Sequence, residues 1–498
     1  MGSIQRSQSR GVSSSQSVET VDIQHVDRMC FIGAGYVGAS SAIVMAAMHP
    51  RIQIDVVDKK AELITAWNSK RLPILEPNLD DLLLRGCNNR RLPNITFSVD
   101  IQRCIKRAQM VFICVDTPSK NSKYKGCDDL DTAALNAAVI DISEAAVGHT
   151  IVVEKSTVPF GTAERIYKIL ETKARPGATF SVLSNPEFLA QGTAIHDLLQ
   201  PSRIVIGWVP GVHASRSVEA LTRLYSKWVS PKRIVTMNAW SSELSKIASN
   251  AFVAQRISSI NSLSAICEAS GADVDDISRV VGMEPGTSSA DLRAGFGYSG
   301  SCLRKDVLCL VYLAKSLGLN EVAAYWRAVH DMNEYQNSRI SRRTLECISS
   351  PGTEQRKKRI AVLGFAYRRG TTDTRGSSAI QLVREFLDAG SQVAIHDTHV
   401  TEQQTMQALG VPISSERDSP VLYKSSPYDA CRGAQALLIH TDWDEFSQHG
   451  GINWVQVAEA MEEPRILVTP FQSLEMAKMK RLGFSILKIG KAFDGEGF

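Results

Sequence analysis

The sequence predicts an α/β protein with two parallel-sheet domains joined by a long central helix. Three observations carry that expectation. A strand–glycine turn–helix–strand pattern opens at Arg28 and closes at Asp58. A second strand–turn–helix pattern opens at Arg359. Between them, apolar residues recur at the i, i+3, i+4, i+7 spacing of an amphipathic helix. Strands that alternate with helices build parallel sheets, so both flanking patterns read as Rossmann-like units. The expected division is a disordered tail over 1–27, a dinucleotide-binding domain over 28–238, a central helical domain over 239–350 and a second Rossmann-like domain over 351–498.

A length of 498 residues suits about three domains. A hydrophobic share of 44% and a charged share of 22% are those of a globular chain. The net charge is +4 with both signs interspersed, which argues against a dedicated nucleic-acid surface. No apolar run reaches about 18 residues, so no membrane span is expected. The first residues are rich in Ser and Gln and lack a charged-then-apolar export pattern. Ten cysteines are scattered without CxxC or metal-ligand spacing. Reduced thiols, no metal and a cytoplasmic location are the expectation.

The first strand, Arg28 to Ile32, leads into Gly33-Ala34-Gly35-Tyr36-Val37-Gly38, a G-x-G-x-x-G. A small-residue helix follows, then a strand from Ile52 to Val57 ending at Asp58, 20 residues after Gly38. That is the separation of a dinucleotide site. Gly33 makes the tight turn, Gly35 admits backbone to a pyrophosphate, and Gly38 lets helix and strand close up. The helix N-terminus meets the phosphate charge. Asp58 would accept from both ribose hydroxyls and repel a 2′-phosphate, which favours NAD over NADP.

Further strands run from Met110 to Val115 and from Thr150 to Glu154. They end in Asp116-Thr117-Pro118 and Lys155-Ser156-Thr157-Val158-Pro159. Ligands bind beyond such carboxyl ends, so Thr117 and Thr157 are candidate cofactor contacts, or else turn residues. Phe180 to Leu183 reads as another strand and runs into Ser184-Asn185-Pro186-Glu187-Phe188-Leu189-Ala190-Gln191-Gly192. Glu187 there is either an acid/base group or an exposed loop glutamate.

Ser241 or Ser242 can cap the central helix, which is expected to run to about Ala269. Leu244, Ile247, Ala248, Ala251 and Phe252 form one apolar stripe. Lys246 and Asn250, four apart, share another face and could both donate to one substrate oxygen. Downstream, glycines at 295, 297 and 300 surround Tyr298 and precede Cys302, Lys305 and Asp306. A thiol beside cations or a helix N-terminus is favoured as thiolate, and in a glycine-lined loop it has room for a substrate. A buried, inert thiol is the alternative.

In the last domain, strands are read at Arg359 to Gly364, Val393 to Asp397 and Ala436 to His440. The loop after the first of these, Phe365 to Arg375, is basic and polar. Two such domains about a helix create a cleft, with the cofactor on one side and a phosphorylated substrate on the other.

Taken in order, these motifs resemble the UDP-glucose 6-dehydrogenase family over roughly residues 28 to 490. The carriers are Gly33-Ala34-Gly35-Tyr36-Val37-Gly38, Ser156-Thr157-Val158-Pro159, Asn185-Pro186-Glu187-Phe188-Leu189, Lys246 with Asn250, Gly300-Ser301-Cys302 with Lys305-Asp306, and Asp373-Thr374-Arg375. The resemblance implies NAD as cofactor, a UDP-sugar as substrate and a homo-oligomer. It implies oxidation of a primary alcohol at C6 in two hydride steps, with Cys302 forming a thiohemiacetal and then a thioester. Lys246 and Asn250 would hold the C6 oxygen, Asp306 would position water, and Glu187 and Thr157 would assist. Gly33, Gly35, Tyr36, Val37, Gly38, Asp58, Thr117, Thr157, Lys305 and Arg375 are the implied cofactor side. Glu187, Phe188, Leu189, Lys246, Asn250, Tyr298, Gly300 and Arg368 are the implied substrate side.

The sequence also departs from that family. Gln191 stands where a glutamate is usual, and Ser202 where an aspartate is. Gly286 takes the place of an arginine that reaches a neighbouring subunit, and Asp291 that of a phenylalanine. Ser299 replaces a glycine, Leu303 a phenylalanine and Arg368 a lysine. Thr469-Pro470-Phe471-Gln472 replaces a turn that carries another arginine. The departures gather on the substrate side. They leave open a UDP-glucose enzyme, a dehydrogenase of another nucleotide sugar, and a low-activity paralogue that regulates an active enzyme.

Overall fold

The computed structural model describes residues 25–85, 91–117, 131–285, 292–349, 358–413, 416 and 419–493. The tail up to residue 24, the linker over 351–357, Pro118, Gly286 and Asp291 lie outside the described residues.

The N-terminal sheet is built from β1 (Arg28–Ile32), β2 (Gln53–Val57), β3 (Ile95–Ser98), β4 (Met110–Ile113), β5 (His149–Glu154), β6 (Thr179–Ser184), β7 (Ile204–Trp208) and β8 (Ile234–Asn238). Its order is β3-β2-β1-β4-β5-β6-β7-β8. All pairs are parallel except β6 with β7. The strands β1, β4 and β5 are apolar on both faces because helices cover both, and two apolar clusters fill the two sides. The order reverses between β1 and β4, and a doubly wound sheet opens its ligand crevice at that point.

The C-terminal sheet repeats the scheme with β9 (Arg359–Leu363), β10 (Gln392–His396), β11 (Val421–Tyr423), β12 (Ala436–Ile439), β13 (Ile466–Val468) and β14 (Ser485–Leu487). Its order is β11-β10-β9-β12-β13-β14, all parallel. Its own apolar core gathers Ile360, Val362, Phe365, Leu382, Phe386 and Leu438.

Between the sheets lies the central helix Ala239–Ser270, packed with the helices Ser301–Ser316 and Asn320–Cys347. Its cap is Asn238, whose side chain accepts from Ser241 N at 2.8 Å. The capping serines expected from the sequence lie inside the helix, and Ser242 is buried against Ser184. The helix continues directly from β8, so its start is set by the strand end. Ile247, Ala251, Ala254 and Ser258 form its buried edge. Phe252, read as part of the apolar stripe, is 58% exposed and meets Trp326 edge-on.

No helix among the described residues is long and apolar enough to cross a membrane. Cys30, Cys104, Cys114, Cys267, Cys302, Cys347 and Cys431 are free thiols, whereas Cys309 is disulfide-bonded, against the expectation of reduced thiols throughout.

Candidate active site

The glycine turn after β1 is constrained by its neighbours. A Cβ on Gly33, at φ +108°, would meet the Cys114 carbonyl oxygen at 2.5 Å, and one on Gly38 would meet Gly33 O at 2.0 Å. A Cβ on Gly35 would meet nothing within 4 Å. Two glycines are therefore demanded by packing, and the third faces open space where a ligand can press on the backbone. Gly35 is also the N-cap of the helix Tyr36–Met48, with no side chain capping it. Uncapped N–H groups at an open helix start suit a diphosphate. Asp58 Oδ2 accepts from Ala34 N at 2.9 Å, which fixes the acidic end of β2 beside the turn. Val37 is half-buried behind it.

The ends of β4, β5 and β6 come next around the cleft. The Thr117 hydroxyl is buried and donates to the Thr157 carbonyl at 2.6 Å, a turn contact that ties two strand ends together. The Thr157 hydroxyl lies 3.5 Å from Glu187 Oε1. Glu187 Oε1 also pairs with Lys246 Nζ at 3.1 Å, and Oε2 accepts from Leu189 N at 2.8 Å. Burial alone would push the Glu187 pKa up, but the Lys246 ammonium and the Leu189 amide more than offset it, so the carboxylate sits below its ordinary range. The Phe188 ring is faced by Lys246 Nζ at 5.4 Å and by the Arg203 guanidinium at 3.9 Å.

Lys246 and Asn250 present their head groups to different partners. Lys246 reaches Glu187, and Asn250 Nδ2 donates to Asp306 Oδ2 at 2.6 Å. Asp306 is buried, its Oδ1 has no hydrogen-bond partner, and burial pushes its pKa up. Cys302 sits in the first turn of the helix Ser301–Ser316. The thiol is open to solvent along one side. Protein crowded around the rest pushes its pKa up; Lys305 and Lys246 pull it down, while Asp306 and Glu187 push it further up. Burial thus works against the thiolate expected from its cationic neighbours. Charges from three separate elements converge on it.

The cysteine loop is gripped by the C-terminal domain. Gly300 N donates to Gly376 O at 2.8 Å, and the Tyr367 ring covers Gly300. The Ser299 and Ser378 hydroxyls are 2.7 Å apart, and Ser378 Oγ lies 2.8 Å from His440 Nε2. Arg375 is clasped by Asp373 and points Nη1 at Asp116, 3.9 Å away, across the cleft. Pro470, from the altered turn, packs beside Gly295. The buried Tyr298 hydroxyl lies 3.2 Å from His330 Nδ1. Arg368 is exposed.

Family models match three successive segments. They are the UDP-glucose/GDP-mannose dehydrogenase family NAD binding domain over residues 27–229, its central domain over 240–335 and its UDP binding domain over 361–473. The chain belongs to the UDP-glucose/GDP-mannose dehydrogenase family. It is 43% identical over 476 residues to UDP-glucose 6-dehydrogenase of Drosophila melanogaster, covering 94% of this chain and 98% of that one. It is 40% identical over 479 residues to UDP-glucose 6-dehydrogenase 1 of Oryza sativa subsp. japonica, covering 94% and 98%. Among solved structures, a UDP-glucose dehydrogenase from the hyperthermophilic archaeon Pyrobaculum islandicum superposes with a TM-score of 0.77 at 26% identity, covering 97% of this chain and 100% of that one.

As a UDP-glucose/GDP-mannose dehydrogenase the protein is an NAD-dependent oxidoreductase that carries a UDP-binding domain. That UDP-binding domain repeats the first turn without its sequence motif. A Cβ on Gly364, after β9, would meet Thr441, after β12, at 2.6 Å, as Gly33 meets Cys114. Asp397, after β10, accepts from Phe365 N at 2.6 Å, as Asp58 accepts from Ala34 N. A second strand-end crevice faces the first. No group of His, Cys, Asp and Glu among the described residues could hold a metal ion.

Several residues of the site escaped the sequence reading. Glu76 takes N–H donors from Gly192 and Ala194, at 2.8 and 2.6 Å, and bonds the Tyr36 hydroxyl. Buried Lys155 donates to Asn185 Oδ1 at 3.1 Å and fixes the loop that carries Glu187. Glu243 accepts from Gly161 N and Ala163 N at 2.6 and 2.7 Å and caps the helix after β5. Lys155 directly precedes Ser156-Thr157-Val158-Pro159, whereas Glu76 and Glu243 carry no local signal.

Proposed function

We propose that this protein oxidises UDP-glucose at C6 to UDP-glucuronate, in two hydride steps, through a covalent intermediate on Cys302. The observation that carries the proposal is that Cys302 opens the helix bearing buried Asp306, which accepts from Asn250 on the central helix, one turn from the buried Lys246–Glu187 pair. A dehydrogenase that stopped at the aldehyde would have no use for a sulfur there.

NAD, when bound at the Gly35 turn beside Asp58, supplies the hydride acceptor for each oxidation. The chain's own groups do the rest. Lys246 and Asn250 orient the C6 oxygen and stabilise its developing negative charge. Glu187, held ionised by Lys246 and supported by Thr157, takes up the alcohol proton. An aldehyde is a poor hydride donor until its carbon becomes tetrahedral. The Cys302 sulfur adds to C6, its proton passes to the C6 oxygen, and a thiohemiacetal forms. Loss of the second hydride and the hydroxyl proton leaves a thioester. Water directed by Asp306 adds to it, the carbon–sulfur bond breaks, and uronate and thiol are released. Phe188, Leu189 and Gly300 line the sugar's place, with Lys305 and Arg375 at the cofactor.

A second reading, another nucleotide sugar, is favoured by the altered turn at Thr469–Gln472, where Pro470 rather than a charged side chain meets the cysteine loop. A panel of nucleotide sugars assayed for NADH formation separates the readings. UDP-glucose as the best substrate, with two NADH per sugar, supports the proposal. One NADH per sugar refutes the covalent route, and binding without turnover identifies a regulatory paralogue.

A further inference from the structure

We infer that Ser299 is a positioning residue that ties the cysteine loop to the UDP-binding domain through Ser378 and His440, and so fixes where Cys302 meets a sugar nucleotide held by that domain. The inference rests on the reading of Cys302 as the nucleophile. Ser299 stands where the family usually has a glycine, so this hydroxyl is an addition of this chain. Its partners come from the C-terminal domain. Ser299 Oγ lies 2.7 Å from Ser378 Oγ and accepts from Ser378 N at 3.2 Å. Ser378 Oγ lies 2.8 Å from Nε2 of His440, which directly follows β12. Ser378 and His440 are both buried.

While His440 is neutral, the protons along these contacts run only one way. Thr441 Oγ1 donates to Ala366 O at 2.7 Å, which commits its one proton. Its 3.2 Å contact with His440 Nδ1 is therefore donated by the ring. Nε2 is left bare and accepts from Ser378, and Ser378 in turn accepts from Ser299. Burial pushes the His440 pKa down to about 4, so the ring is neutral at neutral pH and this polarity holds. The cysteine loop also reaches the imidazole directly: the Phe296 ring stacks on it, with ring centroids 5.4 Å apart.

The hydroxyl has a second task. Ser378 is the first residue of the helix Ser378–Asp388, and the N–H groups of a first turn have no partner within their helix. The N-cap Ser377 serves Ala379 N, at 3.3 Å. Ser299 takes the Ser378 N–H from outside, so a side chain of the cysteine loop caps a helix of the UDP-binding domain. Removing it strips two hydrogen bonds from a buried residue. Beside it, a Cβ on Gly376 would meet Gly300 C at 2.8 Å and Ser301 N at 2.9 Å, so the two backbones already touch. Backbone contact sets how close loop and domain come; the directed hydroxyl contacts set their register. Cys302 comes just after Gly300 and Ser301, in the first turn of its own helix, and takes its place from that register.

The test is a double-mutant cycle on the full-length protein, Ser299→Ala and Ser378→Ala alone and together, with Ser299→Gly beside them. The readouts are kcat and KM for UDP-glucose and the rate at which iodoacetamide alkylates Cys302. Each single change lowers kcat about three- to tenfold, the worth of a hydrogen bond or two, and leaves KM within about twofold, because the sugar still binds and the sulfur is misplaced. Each also speeds Cys302 alkylation at fixed pH, since the loop is no longer held. The double variant does no more than either single one, because both changes cut the same contact. Losses that multiply would overturn the inference. So would wild-type kcat and alkylation in Ser299→Gly, even with a lower melting temperature, for the hydroxyl would then be a structural contact alone. Undiminished turnover in Cys302→Ser would instead remove the reading of Cys302 on which the inference rests.

Discussion

Asn250 and Asp306 meet where the central helix crosses the cysteine helix: the Asn250 amide donates to Asp306 Oδ2 at 2.6 Å, while Asp306 Oδ1 is buried without a hydrogen-bond partner. A carboxylate oxygen left in that state costs stability and is a ready acceptor for water. Its position in the helix that begins beside Cys302 gives that acceptor a use.

Replacing Asp306 by Asn should therefore separate stability from chemistry. The pKa of Asp306 is raised above its ordinary value of 3.8, first by burial, so the folded state holds a proton that the unfolded chain gives up. Stability from this group then falls as pH rises from the ordinary value through the raised one. Asp306→Asn removes that loss. Its melting temperature should equal or exceed wild type at neutral pH, while turnover falls by about a hundredfold or more. A variant that is both unstable and fully active would contradict the assignment.

The Lys246–Glu187 pair makes the opposite case. Both side chains are about nine-tenths buried, at 9% and 10% exposure, and the Glu187 pKa is depressed despite its burial. The stabilisation is present above the ordinary carboxylate value of 4.5 and is lost as pH falls through the lower folded value. Lys246→Ala strands a buried carboxylate and should cost about 3 kcal/mol in urea denaturation at neutral pH. Adding Glu187→Gln should recover much of that cost. Strict additivity of the two changes would show that the ion pair does not exist in solution.

Gly38 and Gly35 of the first turn should fail in different ways. Gly38→Ala places a methyl against Gly33 O and should reduce expression or melting temperature sharply. Gly35→Ala meets nothing in the protein and should fold like wild type. It should nonetheless lose NADH affinity in calorimetry, since the methyl occupies the ligand's side of the turn. Wild-type affinity in Gly35→Ala would move the cofactor elsewhere.

The Cys302 thiol should alkylate slowly at neutral pH and faster as pH climbs past the ordinary thiol value of 9.0, because burial raises its pKa. Lys305 opposes that rise, so Lys305→Met should shift the iodoacetamide rate profile to higher pH. Mass spectrometry of the Cys302 peptide against time reads this directly. A profile unmoved by Lys305→Met would show that this charge is screened from the sulfur.

Much of this site is written in local pattern. The turn at Gly33 and its partner Asp58 are legible because spacing, strand and helix all lie within one short unit. Lys246 and Asn250 are legible because helix period puts them on one face. Glu76 and Glu243 were not, because each acts on backbone brought in from elsewhere by the fold, at separations no motif records. Tyr298 is placed on the substrate side by the resemblance alone; no local pattern shows that its buried hydroxyl meets His330. The cap at Asn238 was hidden by the two serines that follow it, since a strand running straight into a helix sets the boundary before propensity can. Charge around Cys302 was legible in type and not in effect. The cations are present, and desolvation outweighs them.

The most direct test is the mass of the Cys302 peptide after wild-type protein, NAD and UDP-glucose are mixed and quenched in acid within the first turnover. The account predicts a fraction of that peptide carrying a UDP-glucuronyl acyl group, absent without NAD. An unmodified peptide at every quench time, while UDP-glucuronate accumulates, would contradict it.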